Sequence, residues 1–190
     1  MSHRLLRRVS GLAVCLQLLI VATVSAHALP GSVLTFSQEH DSLLLSMNMP
    51  LEDLIVASPG LEALQDIPAD IDLPDADRVS LENYFLQHLD LRSAETTYPL
   101  SLLSATLRTA QNEHVGDYTE LALSWSTHTL VAAQAFPLTL TYDAVMHEVR
   151  NHRATVLWQS PGRQPSMLAN FGFKTTVGNQ QTVLLTQPRE

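Results

Sequence analysis

At 190 residues and 45% hydrophobic content, the chain holds enough apolar side chain for one packed core, which excludes a disordered polymer. Its formal charge of -8, from 11 Lys and Arg against 19 Asp and Glu, argues against binding nucleic acid or anionic lipid. Both are held by basic side chains that neutralise phosphate.

The N-terminus reads as a secretory signal peptide. Arg4, Arg7 and Arg8 precede an apolar run from Leu12 to Val24, and the run ends in Ser25-Ala26-His27-Ala28. A basic start, a short apolar core and small-residue exit positions are the pattern of such a peptide. The apolar core is about 13 residues, short of the roughly 20 that a membrane-spanning helix needs. Cleavage after Ala26 and cleavage after Ala28 both satisfy the small-residue rule. Taking residues 1–26 as the signal removes three basic and no acidic residues, so 8 basic and 19 acidic residues remain, a net of -11. Cys15, the single cysteine, leaves with the signal. Val14 before it, and the long apolar run after it, speak against a lipid-modified cysteine. The expected location is periplasmic or secreted, with no transmembrane segment in the mature chain.

Strand signals dominate residues 27–190. Val33 to Gln38 reads as a strand, followed by a turn at Glu39-His40-Asp41. Leu43, Leu45, Met47 and Met49 then alternate with Leu44, Ser46 and Asn48, the period of two that marks one buried face. From Leu51 to Leu89 the pattern turns helical and acidic. Leu81, Tyr84, Phe85, His88 and Leu89 share one helix face, with Asp77 or Ser80 as the expected cap. Pro50, Pro59, Pro68 and Pro74 divide the rest into short pieces. Asp70, Asp72, Asp75 and Asp77 lack the glycine and closing glutamate of a calcium loop and read as a solvated acidic loop.

Alternation resumes at Leu121, Leu123 and Trp125, and again over nine residues from Leu138 through Leu140, Tyr142 and Ala144 to Met146. Thr155 to Trp158 is apolar on both faces, as in a central strand. Phe171, Phe173, Thr175 and Val177 lead to Gly178-Asn179, a two-residue hairpin signal before Val183 to Leu185. The expected fold is a mainly β, antiparallel β-sandwich, one domain over residues 27–190, with a helical insertion at about 51–89.

No enzyme signature accompanies this pattern. No serine lies in Gly-x-Ser-x-Gly, no cysteine follows the signal, and the seven glycines form no phosphate loop. His147-Glu148 with His152 suggests a zinc-protease helix, but the two histidines are five apart instead of four. Their rings would diverge by roughly 140° on a helix of 3.6 residues per turn.

A looser metal set remains as an expectation: His114, Asp143, His147 and His152, joined by His27 if cleavage after Ala26 makes it the N-terminal residue. Imidazoles with a carboxylate suit zinc, nickel or copper. The competing reading makes these histidines loop or strand-end residues bonded to backbone.

Three segments, read together, carry a resemblance. They are Ala28-Leu29-Pro30-Gly31-Ser32 with the strands and Pro50-Leu51-Glu52-Asp53-Leu54 that follow; Asn112-Glu113-His114-Val115-Gly116-Asp117-Tyr118; and Tyr142 to Val149 continuing to His152-Arg153-Ala154. Their order and spacing resemble the extracytoplasmic N-terminal region of HupE/UreJ-like membrane proteins over nearly all of residues 27–180. The resemblance implies a β-rich soluble module without the transmembrane bundle that carries nickel or cobalt uptake in that family, so that activity is not carried over. The expected function is a non-enzymatic exported interaction module, accessory to a membrane-protein partner. The alternative expectation is a periplasmic nickel-, copper- or cobalt-binding or delivery protein.

Overall fold

The computed structural model describes residues 29–39, 42–93, 96–127, 136–172 and 181–186. The expected signal segment, Cys15, His27, the turn at 40–41, and Phe173 to Asn179 of the expected last hairpin lie outside them.

The protein is mainly β. Its strands are β1 (Ser32–Glu39), β2 (Ser42–Pro50), β3 (Ile71–Asp72), β4 (Leu89–Arg92), β5 (Leu100–Asn112), β6 (Gly116–Thr127), β7 (Leu138–Tyr142), β8 (Arg153–Gln159), β9 (Ser166–Gly172) and β10 (Gln181–Leu185). The insertion supplies α1 (Leu51–Ala57), a 3-10 helix (Pro59–Asp66) and α2 (Asp75–His88). Seven strands form one sheet in the order β3-β5-β6-β2-β1-β8-β9, and three form a second in the order β10-β7-β4.

The alternation in the sequence becomes rows of side chains across the large sheet. Strand register aligns Val156, Leu34, Met47, Leu123 and Ala105 in one row, and Trp158, Phe36, Leu45, Trp125 and Leu102 in the next. Cross-strand neighbours share a face, so burying one buries the row. The small sheet adds Leu89, Leu91, Leu138, Leu140, Tyr142 and Leu185 to the same core. From α2, Phe85 meets Trp125 edge-on with ring centroids 6.0 Å apart.

Most pairings are antiparallel, as expected. β1 and β8 run parallel, which makes the large sheet mixed. Gly31 makes this pairing possible at its start, since a Cβ there would lie 2.3 Å from the Arg153 carbonyl oxygen. The insertion protects a sheet edge. Asp70 and Leu73 donate backbone N–H bonds to the Leu107 and Ala105 carbonyls, at 2.7 and 2.8 Å. Next along β5, the Arg78 guanidinium donates to the Leu103 carbonyl at 2.9 Å, and Leu102 N–H donates to the Glu82 carboxylate at 3.1 Å. An open strand edge invites pairing with another chain, and here β3 and α2 cover it.

Three local expectations change. α2 begins at Asp75 after Pro74, and neither Asp77 nor Ser80 caps it; the Ser80 hydroxyl instead donates to the Ala76 carbonyl within the helix. Leu89 leaves the helix face to start β4. The run from Leu138 to Met146 is a strand only to Tyr142, because Val145 adopts φ +66° and its N–H donates to the Tyr84 hydroxyl at 3.0 Å. Ala144, Val145 and Met146 are buried all the same, which is why their hydrophobicity extends the alternation past the strand's end. After β9 the chain changes sheets: β10 pairs with β7.

Candidate functional site

Ser32 lies on the buried face of β1, in phase with Leu34 and Phe36, and is 1% exposed. A hydroxyl there needs a partner. His152, 3% exposed and directly before β8, provides it: its Nε2 lies 2.7 Å from Ser32 Oγ and accepts the Ser32 backbone N–H at 3.2 Å. On the other side of the ring, Nδ1 donates to the Asp53 carboxylate of α1 at 2.7 Å. Tyr142 donates its hydroxyl to Ser32 Oγ at 3.4 Å. Serine, imidazole and carboxylate thus stand in the order of a hydrolytic triad. Because Nε2 accepts the serine's own N–H, the ring also fastens the start of β1 to α1 and β8. No spacing rule joins residues 32, 53 and 152, so sequence reasoning missed this network.

Asp53 has a second neighbour. Together with Glu52, Asp117, His114, Tyr118 and Asn151 it borders an open cavity of about 460 Å³. His114 is exposed on the β5–β6 turn, where its N–H donates to Asn112 Oδ1 at 2.9 Å and Gly116 takes φ +81°. Burial, with Glu120 nearby, raises the Tyr118 phenol above its ordinary pKa.

A second cluster forms where α2 meets the end of β7. The pairing of Leu89 with Tyr142 sets His88 beside Asp143, and His88 Nδ1 donates to the Asp143 carboxylate at 2.8 Å. His147 returns on the turn after β7, and its Nδ1 donates to the Asp143 backbone carbonyl at 3.2 Å. The two imidazoles stack, with centroids 4.3 Å apart and planes 15° apart. Tyr84 covers His88 at 4.7 Å. Burial first, then the charges of Asp143 and Glu148, push the Tyr84 phenol up to about 12 despite the Val145 N–H bond that opposes the rise. Val145 is β-branched in left-handed backbone, a conformation costing on the order of 1–3 kcal/mol and concentrated at functional turns.

The residues expected to gather around one metal are distributed over these places. Asp143 and His147 come together through a backbone carbonyl. His152 is enclosed with Ser32 and Asp53. His114 sits across the acidic cavity from Asp53, and His27 lies outside the described residues. Among the described residues, no three His, Cys, Asp or Glu side chains form a group able to hold a metal ion. His88 is the residue the sequence concealed: it sits on the helix face shared by Leu81 and Phe85, and its imidazole was counted with that face.

A third feature is the seam between α2 and β5. Asp75, Arg78, Val79, Glu82 and Leu102 border a groove of about 190 Å³. Val79, Leu86 and Leu103 are large apolar side chains left 56%, 49% and 47% exposed. No helix among the described residues is long and apolar enough to cross a membrane. The chain matches no family model and no curated protein sequence.

Proposed function

We propose that this chain is an exported, non-enzymatic interaction module that docks onto a membrane protein through the α2–β5 seam. The exposure of Val79 at that groove, with Leu86 exposed on the same helix and Leu103 on the neighbouring strand, carries the reading. Val79 and Leu86 are seven residues apart on one side of α2, and Val79 and Leu102 border the same groove. Grouped apolar side chains with a charged rim, here Asp75, Arg78 and Glu82, are a common form of protein docking surface. The segments that resemble the extracytoplasmic region of HupE/UreJ-like proteins agree with a soluble module working beside a membrane bundle. The same insertion that shields the β5 edge presents the seam, so edge protection and docking use one element.

The non-enzymatic part rests on access. A nucleophile must reach its substrate, and the Ser32 hydroxyl is enclosed by His152, Tyr142 and the core. A photo-crosslinking residue placed at Val79 in cells tests the docking. The expected result is one discrete adduct to an integral membrane protein, lost in Leu86→Asp and Leu103→Asp variants that keep the native circular dichroism. Recovery of the protein in the cytoplasmic fraction, or a crosslink pattern indifferent to both substitutions, overturns the reading.

A further inference from the structure

We propose that the α2–β5 seam takes a helix of about three turns that alternates basic and apolar side chains along one face. This assignment rests on the docking reading and names what the seam accepts.

The seam follows from helix geometry. Asp75, Val79, Glu82 and Leu86 stand at i, i+4, i+7 and i+11 of α2, which at 3.6 residues per turn places all four within about 60° of arc. Three of them, Asp75, Val79 and Glu82, border the groove against β5. The Asp75 side chain is fully exposed, and Val79 and Leu86 are about half exposed. Leu81 and Phe85, the buried residues of α2, lie on a different face. Spacings of four, three and four residues are those of a helix stripe that packs against a second helix. At a rise of 1.5 Å per residue the stripe is about 16 Å long.

A bulge supplies the opposite wall. β5 shifts register between Leu102 and Ser104, which leaves Leu103 without a partner on β6 and exposed to solvent. Bulges re-aim side chains in this way. The Leu103 carbonyl accepts from the Arg78 guanidinium, which ties the bulge to α2.

Charge selects the occupant. Residues 70–82 contain Asp70, Asp72, Asp75, Asp77 and Glu82 against Arg78 alone, a net of -4. Arg78 is held by the Leu103 carbonyl and lies 3.7 Å from Asp75, so it offsets only part of this charge. Glu82 accepts the Leu102 N–H, which fixes its carboxylate at the groove. Acidic and apolar side chains thus alternate along the stripe. A complementary helix carries Lys or Arg opposite Asp75 and Glu82, and apolar side chains opposite Val79 and Leu86. A second copy of the seam does not satisfy this. Parallel pairing would set carboxylate against carboxylate, and antiparallel pairing would set each carboxylate on an apolar side chain. An anionic membrane surface is repelled by the same charge.

The test uses the whole protein and two synthetic Ala-rich peptides of about 20 residues, long enough to be helical alone. One carries Lys and Leu alternately at the spacing of the stripe, and its twin carries Glu in place of each Lys. Fluorescence anisotropy should show saturable binding of the Lys peptide and none of its twin. Raising the salt to about 0.5 M should weaken binding, because these charges lie at the surface. Asp75→Lys should weaken it about fivefold, the worth of a well-placed exposed ion pair. Val79→Asp should weaken it at least about tenfold although it adds a carboxylate, which separates a specific seam from attraction to the acidic surface at large. Binding that survives Val79→Asp, equal binding of the twin, or binding of neither peptide overturns the assignment. Should a variant not fold, amide resonances of the unsubstituted protein decide the matter. Shifts on adding the Lys peptide must centre on Val79, Leu86 and Leu103, and shifts confined to other elements overturn the assignment. Crosslinking from Val79 in cells keeps the two claims apart. A membrane-protein adduct undiminished by Asp75→Lys leaves docking standing and removes the basic helix. Peptide binding without any membrane adduct keeps the helix chemistry and removes the membrane partner.

Discussion

Two histidine–aspartate pairs in this protein have nearly the same length and opposite surroundings. His152 and Asp53 meet at 2.7 Å, His88 and Asp143 at 2.8 Å. In the first pair the histidine is enclosed and both ring nitrogens are occupied, one by Asp53 and the other by Ser32. In the second the histidine retains contact with solvent, and one nitrogen of each stacked ring has no partner among the described residues. The contact distance does not distinguish them. What separates them is whether the second ring nitrogen is already used.

Breaking the enclosed pair should cost most. His152→Ala leaves the Asp53 carboxylate and the Ser32 hydroxyl without their shared partner and opens a cavity between β1, α1 and β8. A loss of about 3 kcal/mol is expected, at the lower end for a broken buried pair because Asp53 keeps some water. Urea unfolding measures it, and a loss below about 1 kcal/mol would show that the network does not hold these elements together.

Gly31→Ala attacks the same junction from the backbone. The added methyl meets the Arg153 carbonyl, an atom that can move only with the strand. A cost of about 1–3 kcal/mol follows from overpacking of this kind. Hydrogen exchange should report it selectively, with faster exchange at the β1–β8 pairing than at β5–β6. Uniform acceleration would contradict the local account.

Alkaline titration sharpens the comparison from the side of the second pair. Tyr84 ionises near 12 in the folded protein, against 10 when exposed. The folded state then holds a proton that the unfolded state has released, so stability is intact below pH 10 and falls as pH rises from 10 towards 12. Tyr84→Phe should flatten that fall. Equal slopes in native and variant protein would remove Tyr84 as its cause.

The smallest effect is expected from His88→Ala. The ring is partly exposed and its partner Asp143 retains the backbone contacts of the turn, so a loss under about 1 kcal/mol is expected from thermal unfolding. A loss as large as that of His152→Ala would make the two pairs equivalent and erase the distinction.

The sequence revealed the elements that obey a simple period. Leu43, Leu45, Met47 and Met49 are buried in strict alternation, and Leu81 and Phe85 face the core from α2. β5 was harder to see because its register shifts between Leu102 and Ser104, which interrupts the period of two near the start of an otherwise long strand. The run ending at Met146 overstated β7 for the opposite reason: Ala144 and Met146 are buried in a turn, and alternation reports burial before it reports strand.

The candidate sites were legible only in part. Ser32 carried a usable signal, a hydroxyl in phase with Leu34 and Phe36, where any polar group must find a partner. His88 carried a weaker one, an imidazole on a helix face otherwise given to Leu81 and Phe85.

By itself, then, the sequence determined the mainly β class, the place and helical character of the insertion, and the acidic surface, because these depend on periodicity and composition along the chain. Only the tertiary structure decided that β1 pairs with β8 in parallel and that residues 32, 53 and 152 share one imidazole. It alone brought His88 onto His147, through the antiparallel register of β4 and β7. Pairings between residues 55 to 120 positions apart depend on which strands become neighbours, and a local pattern of hydrophobicity holds no information about that choice.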